Sequence, residues 1–83
     1  MKLIYFAWVR EKAGKSKEEI PLPEGVKTVG DLLAWLAERD EKMATAFGDP
    51  SIIRAAVNQE HVSMDHELGE NDEIAFFPPV TGG

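Results

Sequence analysis

Every position from Leu3 to Val9 is apolar, in the run Leu3-Ile4-Tyr5-Phe6-Ala7-Trp8-Val9. Aromatic and β-branched residues fit a pleated, half-buried surface, so residues 2–9 are read as a strand. Alternation sets Leu3, Tyr5, Ala7 and Val9 on one face and Ile4, Phe6 and Trp8 on the other. Two apolar faces predict a central strand. Arg10 to Gly14 predicts a single helical turn or a tight connection. Ser16 to Ile20 predicts a short polar edge strand, after which Pro21, Pro23 and Gly25 break regular structure.

The pattern then changes period. Val29, Leu32, Leu33 and Leu36 recur at i, i+3, i+4 and i+7, which predicts a helix over 28–40 with one stripe facing a core. Thr28 can cap it, with Asp31 three residues on completing a capping box. Trp35 flanks the stripe. Residues 41–48 read as a short second helix ending at Gly48, and Asp49-Pro50 as a turn. Arg54 to Asn58 predicts a strand with Ala55 and Val57 on one face, followed by a turn at 58–60 and a short strand at His61-Val62. Leu68 is an isolated apolar anchor. The last strand, Glu73 to Phe77, puts Ile74 and Phe76 on one face and Ala75 and Phe77 on the other.

Strand, strand, helix and then short strands make an α+β roll, with one main helix on one face of a mixed sheet. At 83 residues the chain is one domain. Its body is expected over 1–77, with an extended tail over 78–83. The second sheet face lacks an internal cover, and Ile4, Phe6, Trp8 and Phe77 are the residues to line it, as an interaction surface. The competing arrangement folds residues 41–52 over them.

Composition narrows the chemistry. Fifteen acidic against nine basic residues give a net charge of -6, a field that repels phosphate backbones and anionic lipid. Nucleic acid and membranes are therefore not the expected partners. The absence of cysteine removes disulfides, thiol nucleophiles and thiolate metal sites. The N-terminal apolar run is too short to span a bilayer and leads into Arg10-Glu11-Lys12 rather than a cleavage site, so a cytoplasmic protein is expected. His61 and His66 match no common metal spacing, and no metal site is expected. Ser16, Ser51 and Ser63 lack a nucleophile-elbow setting. No glycine loop is built to cradle phosphate, so no cofactor is expected to be bound by this chain.

What remains is the terminal run Phe76-Phe77-Pro78-Pro79-Val80-Thr81-Gly82-Gly83. A terminal carboxylate is ionised at neutral pH and is a poor electrophile, but a partner can activate it as an acyl-adenylate. Gly82 and Gly83 lack side chains and fit a narrow channel. Pro78 and Pro79 stiffen the exit and favour extended backbone before them. Pro79 to Gly83 can reach ~16–18 Å when extended. That length suits delivery into a partner's buried site.

Several stretches carry a family resemblance: Tyr5-Phe6-Ala7 through Arg10-Glu11 and Gly14, Thr28-Val29-Gly30-Asp31-Leu32-Leu33, Ala55-Ala56-Val57-Asn58, and Asp72 through Gly83. The chain resembles the small subunits of molybdopterin synthase, sulfur carriers of the MoaD/ThiS type with a β-grasp (ubiquitin-like) fold. A terminal Gly-Gly is shared by all ubiquitin-like carriers, whereas the Phe-Phe-Pro-Pro-Val-Thr-Gly-Gly ending points to this branch. The resemblance implies that an adenylating enzyme uses ATP and magnesium to activate Gly83. A sulfur donor then leaves a thiocarboxylate, whose sulfur goes to cyclic pyranopterin monophosphate to build the molybdopterin dithiolene. It implies docking with a large synthase subunit in a heterotetramer. The implied contacts are Phe6, His61 and Phe77, with the tail residues Pro78, Pro79, Val80 and Thr81 inserted and Gly82 next to the reacting Gly83. Relatives usually carry an apolar residue where His61 stands and a polar one where Trp8 stands, and Trp8 is expected to enlarge the docking patch. Two alternatives share the Gly-Gly ending: a ubiquitin-like modifier joined to lysines, and a carrier for thiamine or another sulfur pathway.

Overall fold

The computed structural model describes residues 1–79 of the 83. Strand β1 covers Lys2–Tyr5, helix α1 Ala7–Ala13, strand β2 Lys17–Glu19, helix α2 Val29–Ala37 and helix α3 Glu41–Phe47. A 3-10 turn at Pro50–Ile52 then leads into β3 (Arg54–Val57), β4 (Glu60–Val62) and β5 (Glu73–Phe77). The five strands form one mixed sheet in the order β2-β1-β5-β3-β4. β1 and β5 run parallel at its centre, and the other neighbours are antiparallel. This is the α+β roll expected from the element order, with the β-grasp arrangement.

The first apolar run departs from expectation. The strand stops at Tyr5, and Ala7, Trp8 and Val9 belong to α1. Phe6 is extended, Ala7 takes a φ of 53°, and the chain turns into the helix there. The buried residues that follow are Val9 and Ala13, four apart, a helical spacing. Ala7, Arg10, Glu11, Lys12 and Ala13 supply helix-forming side chains, and Gly14, at φ 80°, ends the helix in the left-handed region. Ala7 is accordingly exposed rather than in the core, and Trp8 packs half-buried against the core instead of lining the sheet's second face.

The α2 helix starts as its sequence dictates. The Thr28 hydroxyl accepts from the Asp31 N–H at 3.1 Å, and the Asp31 carboxylate accepts from the Thr28 N–H. The Val29 and Gly30 N–H groups donate to the carbonyls of His66 and Met64, so the first-turn donors are satisfied. The helix ends at Ala37, short of the expected 40, because Asp40 turns extended and caps α3 through the Met43 N–H. Leu68 packs against the core as an anchor, and its N–H donates to the Lys27 carbonyl.

All three helices share one core. Leu3, Tyr5, Val9, Leu32, Leu33, Leu36, Met43, Phe47, Ile74 and Phe76 are fully or almost fully buried. The Phe47 ring lies 5.7 Å from Tyr5 and meets Phe76 edge-on at 5.2 Å. Residues 41–47 therefore cover the core side of the sheet, and the competing arrangement over the second face is not adopted. Among the described residues no polar side chain is buried without a hydrogen-bond partner, and no helix is long and apolar enough to cross a membrane.

Candidate functional site

The base of the tail is held by β5, which hydrogen-bonds to β1 on one side and β3 on the other. At its start, Asn58 acts as a latch. Its amide donates to Asp72 at 3.0 Å, and its side-chain oxygen accepts from the Glu73 N–H. Hydrogen bonds from the Gly69 N–H and the Asn58 amide hold the Asp72 carboxyl below its usual range. At its end, Phe76 is fully buried and its carbonyl accepts from the Phe6 N–H at 3.0 Å. Both ends of the strand are thus pinned, and the exit point of Pro78 and Pro79 is defined. Val80, Thr81, Gly82 and Gly83, which carry the chemistry expected from the sequence, lie outside the described residues.

Phe77 follows the buried Phe76 and, by strand alternation, points to the opposite side of the sheet. Its ring is half-buried and lies 5.1 Å from the His61 ring, tilted by 50°. His61 pairs with Ala56, Ala56 with Ala75, and Ala75 with Ile4. These register partners place an apolar strip across four strands, flanked at its tail end by Phe77. Phe6 stands beside that end at the close of β1 and is 48% exposed. Three expected contact residues, Phe6, His61 and Phe77, therefore come to the same end of the sheet. Trp8 lies apart on α1.

The strip was half visible in the sequence, since Ile4, Ala75 and Phe77 follow from alternation. Arg54 and Ala56 were not singled out. Their signal was the same period of two, which sets Arg54 on the face opposite Ala55, but the partnering of Arg54 with Phe77 needs the register. His66 contributes its backbone carbonyl to the start of α2 and is exposed there.

The family model that matches this chain is the ThiS family, over residues 3–83. The chain belongs to the ThiS family. Among curated ThiS-type relatives, the molybdopterin synthase sulfur carrier subunit of Escherichia coli (strain K12) is 43% identical over 83 residues, covering 100% of this chain and 99% of the relative. The subunit of the same description from Haemophilus influenzae is 34% identical, with the same coverage. Among solved structures, SAMP1 from Haloferax volcanii superposes with a TM-score of 0.75 at 32% identity, covering 100% of this chain and 98% of that one. The β-grasp fold of the family and the strand order described above agree.

Proposed function

We propose that this chain is the sulfur carrier subunit of a molybdopterin synthase, with Gly83 as the atom-bearing residue. The observation that carries the reading is the end-to-end identity with the Escherichia coli subunit, 43% across the whole chain. The anchored β5, the open strip and the proline exit support it, because a carrier must present its tail from a rigid body.

The chemistry follows from the terminal carboxylate. An adenylating partner, using ATP and magnesium, converts Gly83 into an acyl-adenylate, which makes its carbonyl electrophilic and supplies AMP as the leaving group. A sulfur donor displaces AMP and leaves a thiocarboxylate. The carrier then docks on the large synthase subunit through Phe6, His61 and Phe77. Pro78, Pro79, Val80 and Thr81 span the distance to the large subunit's active site, and Gly82 lets the tip thread a narrow channel. Each thiocarboxylate gives one sulfur to cyclic pyranopterin monophosphate, and water hydrolyses the acyl–sulfur bond so that Gly83 returns as a carboxylate. Two loaded carriers in turn supply the two sulfurs of the molybdopterin dithiolene. Two carriers serve one heterotetramer in the cytoplasm.

The test is intact-mass spectrometry of the full chain after incubation with its adenylating enzyme, ATP, magnesium and a sulfide source. The expected result is a gain equal to replacing one oxygen by sulfur, located at Gly83. An unchanged mass would sink the reading. The similarity to SAMP1, a small archaeal modifier protein, favours a second reading in which activated Gly83 is joined to lysines. Higher-mass, denaturant-resistant conjugates in host cells, absent for the Gly83 deletion, are its signature.

A further inference from the structure

The open sheet face is divided by charge. In its far row, Glu19 pairs with Lys2 and Lys2 with Glu73. The next row toward the tail runs from Lys17 through Ile4, Ala75 and Ala56 to His61, and the last pairs Phe77 with Arg54. These two tail-side rows contain lysine, arginine and histidine and no carboxylate, in a chain with 15 acidic against 9 basic residues.

Arg54 is exposed, and its Nη1 donates to the carbonyls of Ser51 and Ile53, each at 3.3 Å. Those bonds hold the guanidinium near the start of β3. Among the described residues no carboxylate pairs with it. Arg54 and His61 line one shallow cleft together with Val62, Ser63 and Met64. Because Arg54 is the register partner of Phe77, a surface that covers Phe77 also removes water from Arg54. Covering a charged guanidinium without supplying an opposite charge is strongly unfavourable, even where backbone carbonyls take some of its N–H groups. A guanidinium presents a planar fork matched to a carboxylate.

We propose that Arg54, with His61 beside it, reads a carboxylate on the large subunit surface that covers Phe77, and so determines which large subunits this carrier accepts. The inference rests on the docking role given to Phe77 above and adds the chemistry of the partner surface. An apolar surface shaped for Phe77 but lacking the acid is rejected because it leaves the Arg54 charge dehydrated and without a counter-charge, while one carrying the acid gains a charge-assisted pair.

The experiment is calorimetric titration of the full-length carrier into the large subunit from the same genome, at about 50 mM and about 500 mM salt. Wild-type affinity is expected to fall with salt. Arg54→Leu should lose on the order of fivefold in affinity at low salt and flatten the salt dependence, with Arg54→Glu losing more. Arg54→Lys should keep most of the salt dependence, which separates charge reading from loss of the carbonyl bonds that hold the strand start. Neutralising one acidic residue at a time on the large subunit should reproduce the Arg54→Leu effect at one position and add little in the double variant. Tight binding that ignores salt, Arg54→Leu and Arg54→Glu alike would overturn the inference and leave the carrier function standing. Absence of wild-type binding at either salt, with no thiocarboxylate formed, removes the carrier reading and this inference together.

Discussion

At the scale of single residues, the β3–β4 hairpin is held in shape by two backbone conformations that side chains resist. Val57 pairs with Glu60, so Asn58 and Gln59 form the whole loop, and their φ angles are 51° and 71°. Positive φ at both positions is the requirement of the tight turn that matches strand twist, and asparagine followed by glycine is its favoured sequence. Asn58 also serves as the latch to Asp72 and Glu73, whereas Gln59 is exposed and has no side-chain hydrogen bond among the described residues. Gln59→Gly should therefore remove about 1 kcal/mol of left-handed strain. Its melting temperature should rise, but by less than about 4 °C, because glycine's greater freedom in the unfolded chain offsets part of that gain; thermal circular dichroism measures it. A fall instead would mean that the strain at Gln59 is smaller than the entropic cost of glycine. The same contrast explains what sequence made visible. The Thr28–Asp31 capping box is local and uses preferred residues, so it could be read directly. The turn after Val57 was placed, but its strained second residue has no sequence signal, since glutamine is not a turn former.

At the scale of elements, β1, β2 and the end of α2 are tied by one polar cluster. Tyr5 Oη donates to the Glu18 carboxylate at 2.7 Å, and Arg39 Nη1 donates to both Glu18 oxygens at 3.0 and 2.9 Å. Burial raises the Tyr5 pKa well beyond its usual value, and the Glu18 hydrogen bond and charge add to the rise. Burial pushes Glu18 upward as well, but hydrogen bonds from Arg39 and Tyr5, with the Arg39 and Lys15 charges, outweigh it and hold the carboxyl below its ordinary range. A depressed folded-state pKa contributes stability above the unfolded value, and that stability is lost as pH falls through the folded one. Glu18→Gln should thus lower stability at pH 7 by on the order of 1–2 kcal/mol. The gap to wild type should close as pH drops below about 4, the ordinary carboxylate range. Urea melts across pH check this, and a gap that stays constant with pH would refute it. None of this cluster was anticipated, because Tyr5, Glu18 and Arg39 are far apart in sequence and meet only through sheet register and helix placement. The misreading of residues 2–9 has a related cause. A short apolar run satisfies a period of two and a helical period equally well, and the turn at Phe6 and Ala7 is set by how α1 packs on the core.

For the whole molecule, the division of labour runs along β5, one residue after another. Phe76 is fully buried and stacks with Tyr5 at 6.1 Å, while Phe77 faces the open side against His61. Phe77→Ala removes a half-buried ring and should cost less folding stability than a buried Phe→Ala, for which about 3–5 kcal/mol is typical. It should weaken binding to the large subunit by tenfold or more, as expected of an aromatic anchor. Unchanged affinity in a titration would remove Phe77 from the interface. The tail gives the complementary case. Among the described residues every buried core side chain lies between Met1 and Phe76, and a glycine at position 83 has no side chain to add to that core. Deleting Gly83 should leave the melting temperature unchanged within about 1 °C, since a shift of several degrees corresponds to roughly 1 kcal/mol. The same deletion places the carboxylate on Gly82, one residue short, about 3.3–3.6 Å closer to the body when the chain is extended. An activating site that must bring a carboxylate to an ATP phosphate within bonding distance cannot absorb that displacement. Sulfur loading should therefore be lost while binding of the body to the large subunit, through Phe77 and its neighbours, persists. Loading at the wild-type rate by the shortened chain, followed by intact mass, would show that the activating partner reads the body and not the length of the tail.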